Sequence, residues 1–499
     1  MRRFIAGIIL CFFCALHSHA AEIRAGVAKV DITDRAAGPV NDPLYSKALV
    51  VKSESTTVVL ITIDAVAIGE IGRIKNDFLP KVRARLQQEL GIPPASVVIN
   101  ASHCHGVVRT DIEQLTVEAV MTAMKNLVPV KIGAGVGEEK RISENRRLKL
   151  KDGSVVDMRR AYSMPRDEEV ASVGPIDPQI GLLRVDREDG HPLAVLYNFA
   201  CHPIMHPPNV GNTADYPGFA SKLIEEQLGG GAVAFFVQGC GGDINPVRYK
   251  DIQRQPNAES LGNMLGLSVL DGVRKIETKR DGALKTVNIK VQLPRGADLE
   301  RRMGLIQAEQ TKLLQGLKPT DINFKTFLPL YIQHKVSPEY PSYYSQGYLH
   351  EKALGRDDLL KLDESNRKQL AAYEDNIRVM ERLTRLNVNL ALLRKHHAEN
   401  LAVGSKTVEV EMSALRIGDF RLVTFPGELT VEVGLGIKQK ASSPFTFVAG
   451  YSNGYIYYLP TVEQRSNRGY AQEDCDCIVA PEWQAVFESK ALELLKQID

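Results

Sequence analysis

Two histidines one residue apart, His103 and His105 in INASHCHGVV (99–108), follow the apolar run Val97, Val98 and Ile99. A strand ending here points side chains i and i+2 to one side, where both can approach a common ion. A second pair, His202 and His206 in FACHPIMH, again closes an apolar run. Imidazole nitrogens are preferred zinc ligands, and a carboxylate oxygen commonly completes such a set. H-x-H is a weak signal by itself, and a polar strand end accounts for either histidine taken singly.

Other reactive side chains carry less. GYSNG (450–454) fits the nucleophile-elbow spacing, but β-formers and a proline follow it where a helix is required. The triad order also requires a histidine after the serine, and the last histidine is His397, so Ser452 is set aside as a nucleophile. GAGVG and GCGGD match neither a dinucleotide fingerprint nor a phosphate loop. In FVQGCGGDINP (236–246) the glycines and Asp243 indicate a tight backbone at a strand end, with Cys240 a buried small residue.

The elements that position these residues follow an α/β grammar. STTVVLITIDAVAIG (55–69) and ASVVINAS (95–102) read as buried strands joined through a helix across 77–90. IGLLRVDRE and HPLAVLYNFACH form a hairpin turned at Asp189-Gly190, and a helix over 215–228 leads into the apolar run AVAFFVQG. The expected fold is α/β, with mixed β-sheets flanked by helices. In such folds ligands gather beyond strand ends, which is where both histidine pairs lie. Between about 296 and 400 the composition turns charged and helical in period. Segments 301–314 and 364–397 are separated there by the aromatic loop PLYIQHKVSPEYPSYYSQGYLH (329–350). This stretch reads as a helical insertion that either covers a site or stands in solvent as a structural hairpin.

Composition bounds the class. With 499 residues, 44% of them hydrophobic, the chain can bury a large core. Its 62 basic and 60 acidic residues nearly balance, giving no electrostatic reason to expect nucleic acid. MRR, the apolar run FIAGIILCFFCAL and HSHA form a signal peptide over 1–20, so a periplasmic or extracellular protein beginning at Ala21 is expected. No stretch reads as a transmembrane helix. Of seven cysteines, Cys11 and Cys14 fall in the leader; the spacing of Cys104, Cys201, Cys240, Cys475 and Cys477 is no disulfide framework.

An ordered set of segments resembles the neutral (alkaline, non-lysosomal) ceramidases, which are secreted zinc amidases. AGVAKVDITD (25–34) is similar to that family's opening strand, ASHCHG to its T-H-T-H-S-G and NFACHPIMH to its F-A-x-H-P. TADYPGFA, FVQGCGGDINP, FPGELTVEVG and YSNGYIYYLPTVEQRSNRGY follow in the family's order, apart from the insertion. The resemblance implies zinc held by His103, His202, Glu428 and Tyr458, with His105 as general base and Tyr470 holding the oxyanion. It also implies that Arg146, in ENRR, orients the substrate. Residues 21–499 would form the catalytic domain, with the insertion at about 296–400. The implied reaction is cleavage of a linear N-acyl amide, a ceramide-like lipid or relative, by a zinc-bound water, with contact at a membrane surface. The family's serine in G-D-x-S-P is Asn245 here, which cannot act as a nucleophile, and GVVRT replaces the run after T-H-T-H. Asp215 and Asp243 are expected either to orient ligand histidines or to serve as a helix cap and a turn former. The alternatives are an amidase or deacetylase of N-acylated sugars or cell-wall material, and a non-catalytic secreted zinc-containing binding protein.

Overall fold

Alternating apolar runs and amphipathic helices fold as the pattern requires. The computed structural model describes residues 22–499 except 55, 158–164, 206–210, 250–256, 281 and 343. The expected leader at 1–20 and His206 lie outside the described residues. Eight strands form the main sheet, in the order Val233–Gln238, Pro192–Phe199, Gln179–Arg187, Val128–Glu138, Arg24–Asp31, Tyr45–Lys52, Thr57–Ile63 and Val97–Ala101. Pairing is parallel at the two ends of this order, between Thr57–Ile63 and Val97–Ala101 and between Pro192–Phe199 and Val233–Gln238. It is antiparallel elsewhere, including the hairpin turned at Asp189-Gly190. The parallel pairs need crossovers, and helices Phe78–Leu90 and Asp215–Leu228 lie within them.

A four-stranded sheet, Leu284–Pro294, Thr407–Ile417, Phe420–Thr424 and Thr446–Ala449, packs on the main sheet. Leu415, Phe420, Leu422 and Phe447 meet Leu49, Leu60, Leu183 and Phe235 in that layer, all buried. Helix Ile112–Lys125 covers the opposite side of the first strands. It comes so close that a Cβ on Gly26 would sit 2.0 Å from the Ala123 carbonyl oxygen.

The main sheet curls until its two edge strands approach each other. Asn100 joins them. Its Oδ1 accepts from the Gln238 N–H at 2.9 Å, and its Nδ2 donates to Gly450 O at 2.8 Å and to Ser452 Oγ at 2.9 Å. The His103 and His202 segments, which leave strands near opposite ends of the sheet order, thereby open into one crevice.

The insertion comprises helices Leu299–Gln315, Phe324–Val336, Ser345–Ala353 and the 46-residue Asp358–Val403. The aromatic stretch expected as a loop over 329–350 is thus largely helical. Its aromatic and β-branched residues and Pro329 argue against helix locally; packing prevails, because Phe327 stacks on Tyr373 of the long helix with ring centroids 4.6 Å apart. The insertion is also not merely solvated. Arg385 pairs with buried Asp157, Asn389 donates to the Tyr470 carbonyl, Lys395 Nζ donates to Tyr457 OH at 3.0 Å, and His396 Nε2 meets Asp476 Oδ1 at 2.7 Å.

Asn100→Ala should destabilise the protein by about 1–3 kcal/mol in urea unfolding, because it strands the buried Gln238 N–H.

Candidate metal centre

Each ligand candidate is placed by backbone just beyond a strand end. His103 follows Val97–Ala101 with φ of 68°, a left-handed conformation that is strained for a residue with a Cβ. Its N–H donates to Ala65 O at 2.9 Å and its Nδ1 lies 2.6 Å from Val66 O. The strand has therefore ended before His103, and simple strand alternation does not place it beside His105. The left-handed turn does so instead, setting the two rings edge to face with centroids 5.6 Å apart. His202 follows Pro192–Phe199; its N–H donates to Ile244 O at 2.9 Å, and its Nδ1 lies 3.1 Å from the same oxygen. Glu428 and Tyr458 are direct partners in a two-residue parallel ladder, Glu428–Leu429 with Tyr458–Leu459.

These elements bring His103, His202 and Glu428 together, all buried, with ligand atoms within 4.8 Å of one another. His202 Nε2 lies 3.0 Å and His103 Nε2 3.5 Å from the same oxygen, Glu428 Oε2. Carbonyl oxygens only accept, so each Nδ1 carries a hydrogen and Nε2 is the ring atom that each histidine turns towards Oε2. Acceptors facing one another in a buried space are costly unless a proton or a cation lies between them. Two imidazole nitrogens and one carboxylate oxygen, their rings already oriented through Nδ1, form a donor set suited to zinc. Burial works to raise the Glu428 carboxyl, but His103, His202 and the Tyr455 hydroxyl outweigh it and hold it well below the usual carboxylate range.

Tyr458 is buried beside this group. Its ring is stacked on His202 at 6.4 Å between centroids, and the Arg146 guanidinium carbon lies 5.4 Å from its centre. Sequence reasoning missed Tyr451 and Tyr455, which touch Glu428 directly: Tyr455 donates to Oε1, and Tyr451 donates to Oε2 at 3.2 Å. Burial, and then the Glu428 charge, push both phenols well up, so both remain protonated donors. The four tyrosines of YSNGYIYYLP were the available signal.

Arg146 is wholly buried, its guanidinium engaged by Glu473 Oε1 at 2.6 Å, Gly242 O at 2.6 Å and Asn245 Oδ1 at 3.2 Å. It braces Tyr458 and the glycine turn from inside the protein. Gly242 must be glycine because a Cβ there would lie 2.6 Å from the Glu428 carbonyl oxygen. Asp243 accepts from the Val431 N–H at 2.8 Å and so fixes the helix Val431–Lys440 that starts just after Glu428. Burial, opposed by Arg147, raises its carboxyl to about 6. Asp215 is the first residue of its helix and accepts from the Tyr216 N–H at 2.7 Å. Tyr470 is partly buried and packs against the insertion's apolar cluster, which includes Leu299, Ile306, Leu386 and Leu390. Ser452 Oγ donates to Gly450 O, and all five described cysteines are buried and free.

His105 is half-buried and stands at the mouth of this group. It lines a cavity of about 650 Å³ with Val66, Ala67, Ile71, Ile74 and Val108, largely apolar side chains. A polar cavity of about 570 Å³, lined by Asn145, Arg147, Lys149, Asp243, Asn467 and Arg468, lies on the Asp243 side.

Tyr455→Phe should lower metal affinity about 10- to 100-fold in a competitive chelator titration, since it removes a partner that orients Glu428. Asp243 has a folded pKa above its unfolded value, so its contribution is fully present below about pH 4 and is lost as pH rises through about 6. In urea unfolding between pH 4 and pH 7, Asp243→Asn should become more favourable relative to the parent protein by roughly 1–3 kcal/mol.

No protein-family model matches this sequence, and no curated protein matches it. Solved structures do. The crystal structure of neutral ceramidase from Pseudomonas aeruginosa superposes with a TM-score of 0.59 at 17% identity, covering 96% of this chain and 75% of that one. A ceramidase complexed with C2 superposes at 0.60 with 16% identity, covering 95% and 75%. The expected α/β fold and its resemblance to neutral ceramidase are thus both met: at this identity the likeness is one of fold, and the chain has the neutral ceramidase fold over nearly its whole described length.

Proposed function

We propose that this chain is an exported zinc-dependent amidohydrolase that cleaves a linear N-acyl amide, a ceramide-like lipid or a relative of one. The observation that carries this reading is the convergence of two imidazole Nε2 atoms on one buried carboxylate oxygen, with a further histidine at the mouth of an apolar cavity. His103, His202 and Glu428, with Tyr458 adjacent, would hold the metal. Zinc bound there supplies a Lewis acid that polarises a carbonyl and acidifies water. The ceramidase fold supports the same chemistry.

The chain's own residues divide the remaining work. His105, whose ring meets that of His103 edge to face, takes the proton of the attacking water and returns it to the leaving amine. The apolar wall of Val66, Ala67, Ile71, Ile74 and Val108 accommodates an acyl chain and excludes water. Arg146 acts through Tyr458 as a positioning residue. Tyr451 and Tyr455 keep the Glu428 carboxylate oriented. Tyr470 is held against the insertion, and no part at the reacting carbonyl is assigned to it. The polar cavity beside Asn145 and Arg147 favours a second reading, an amidase of N-acylated sugars or cell-wall material, in which that cavity receives the polar group.

The purified protein should contain about one zinc per chain by elemental analysis. Screening N-acyl sphingoid, amino-acid and sugar substrates should give turnover on the first class; turnover on sugars alone favours the second reading. His105→Ala should keep the zinc and lose roughly 100- to 10,000-fold in turnover. A fully folded protein that takes up no metal, or an active His105→Ala variant, would defeat the assignment.

A further inference from the structure

Helix Leu299–Gln315, which opens the insertion, buries three side chains: Leu299, Arg302 and Ile306. Spacings of three and four residues put them on one face, so a guanidinium lies on the side that meets Leu386, Leu390 and Leu393. Arg302 is 4% exposed. Its Nη2 donates to Cys475 Sγ at 3.6 Å, and its Nη1 is buried with no acceptor among the described residues. Arg465 is also 4% exposed and faces Cys475 and Cys477. Its Nη2 donates to Asp298 Oδ1 at 3.0 Å, while its Nε and Nη1 are buried and have no acceptor either. Two buried guanidiniums thus meet at one C-x-C turn with three nitrogens unpartnered.

A buried charge is costly unless it is paired. One carboxylate, Asp298, serves both guanidiniums, and the exposed Arg301 shares it at 3.5 Å. The other acidic groups around the turn are already engaged: Glu473 by Arg146, Asp474 by Arg147, Asp157 by Arg385 and Asp476 by His396. Burial pushes both thiols up against the pull of Arg465, so neither supplies a negative charge. We infer that Arg302 and Arg465 bind a small monovalent anion of the halide class beside Cys475 and Cys477. Two guanidiniums against one carboxylate leave a surplus of one positive charge, which selects a monovalent ion. The unpartnered guanidinium nitrogens supply charge-assisted donors for it. The position gives the ion a structural consequence. Arg302 belongs to the insertion, whereas the C-x-C turn backs the metal candidates: Cys477 bridges to Tyr457, and the Tyr458 N–H donates to Asp476 O at 3.0 Å. The anion fastens the insertion to that strip.

Unfolding of the full chain in sodium chloride and in sodium gluconate, at equal ionic strength, tests this. Chloride should stabilise the parent protein in a saturable way, raising the folded-to-unfolded ratio about a hundredfold once the ion is at roughly a hundred times its dissociation constant. Arg302→Met should abolish that response. In gluconate it should melt no lower than the parent, because it removes a buried charge that has no counterion there. A guanidinium with a purely packing role would instead lower melting equally in both salts. Crystals of the parent protein grown in sodium bromide supply a readout that needs no variant: an anomalous peak at the bromine edge should lie between Arg302 and Arg465. Equal unfolding of the parent in chloride and gluconate overturns the inference and assigns the unpartnered nitrogens to water. A full halide response in Arg302→Met, or bromide sites only at the surface, overturns it as well. Neither turnover nor metal content enters these measurements, so the inference stands or falls independently of the hydrolase reading.

Discussion

Everything near the centre of this molecule depends on one oxygen atom, Glu428 Oε2, towards which two imidazole nitrogens point. For that contact to be productive each ring must keep its hydrogen on Nδ1, and the backbone enforces this with the carbonyls of Val66 and Ile244. Those carbonyls belong to a loop after one strand of the parallel pair at one end of the sheet and to the turn after the strand at the other end. The fold must therefore bring its extremes together before the tautomers are correct. The left-handed backbone at His103 is part of the same requirement. A relaxed extended residue there would not both donate to Ala65 O and present its ring to Val66 O.

The carboxylate side of the centre is held by a different kind of support. Glu428 and Tyr458 sit opposite each other in a ladder of only two residues per strand, too short to be stable alone. Its stability comes from neighbours: Tyr451 and Tyr455 on the carboxylate, Asp243 on the following helix, and buried Arg146 and Arg147 tied to Glu473 and Asp474. The insertion adds the outer brace, since Lys395, His396 and Asn389 grip Tyr457, Asp476 and Tyr470 on either side of that segment. A charged, helical stretch that looks peripheral in the sequence thus buttresses the residues next to the metal candidates.

The parts legible in the sequence were those with a local signature. The buried strands, the hairpin at Asp189-Gly190, the crossover helices and the proximity of His103 to His202 at strand ends all followed from periodicity and from the architecture it implies. Glu428 and Tyr458 came from resemblance, because nothing local marks a carboxylate and a phenol thirty residues apart as ladder partners. Tyr451 and Tyr455 escaped for the same reason: their contacts with Glu428 are made by a left-handed turn whose geometry composition does not reveal. The helices over the aromatic stretch were hidden by residues with poor helix propensity, which Phe327 and Tyr373 override by stacking. Tyr470 also came from a spacing shared with a family, and that spacing did not reveal its packing against the insertion's apolar cluster.

GYSNG (450–454), set aside as a nucleophile elbow, has a different consequence. Its turn donates and accepts along the outer side of Val97–Ala101: Ala101 N to Tyr451 O, Asn453 N to Ile99 O, and Ile99 N to Asn453 Oδ1. Those are the groups that an unpaired outer strand offers to any other chain. With Asn100 occupied by Gln238 across the curl, the strand has little backbone left to template intermolecular pairing. The turn that resembles a catalytic motif therefore works as protection against self-association, placed on the very strand that leads into His103.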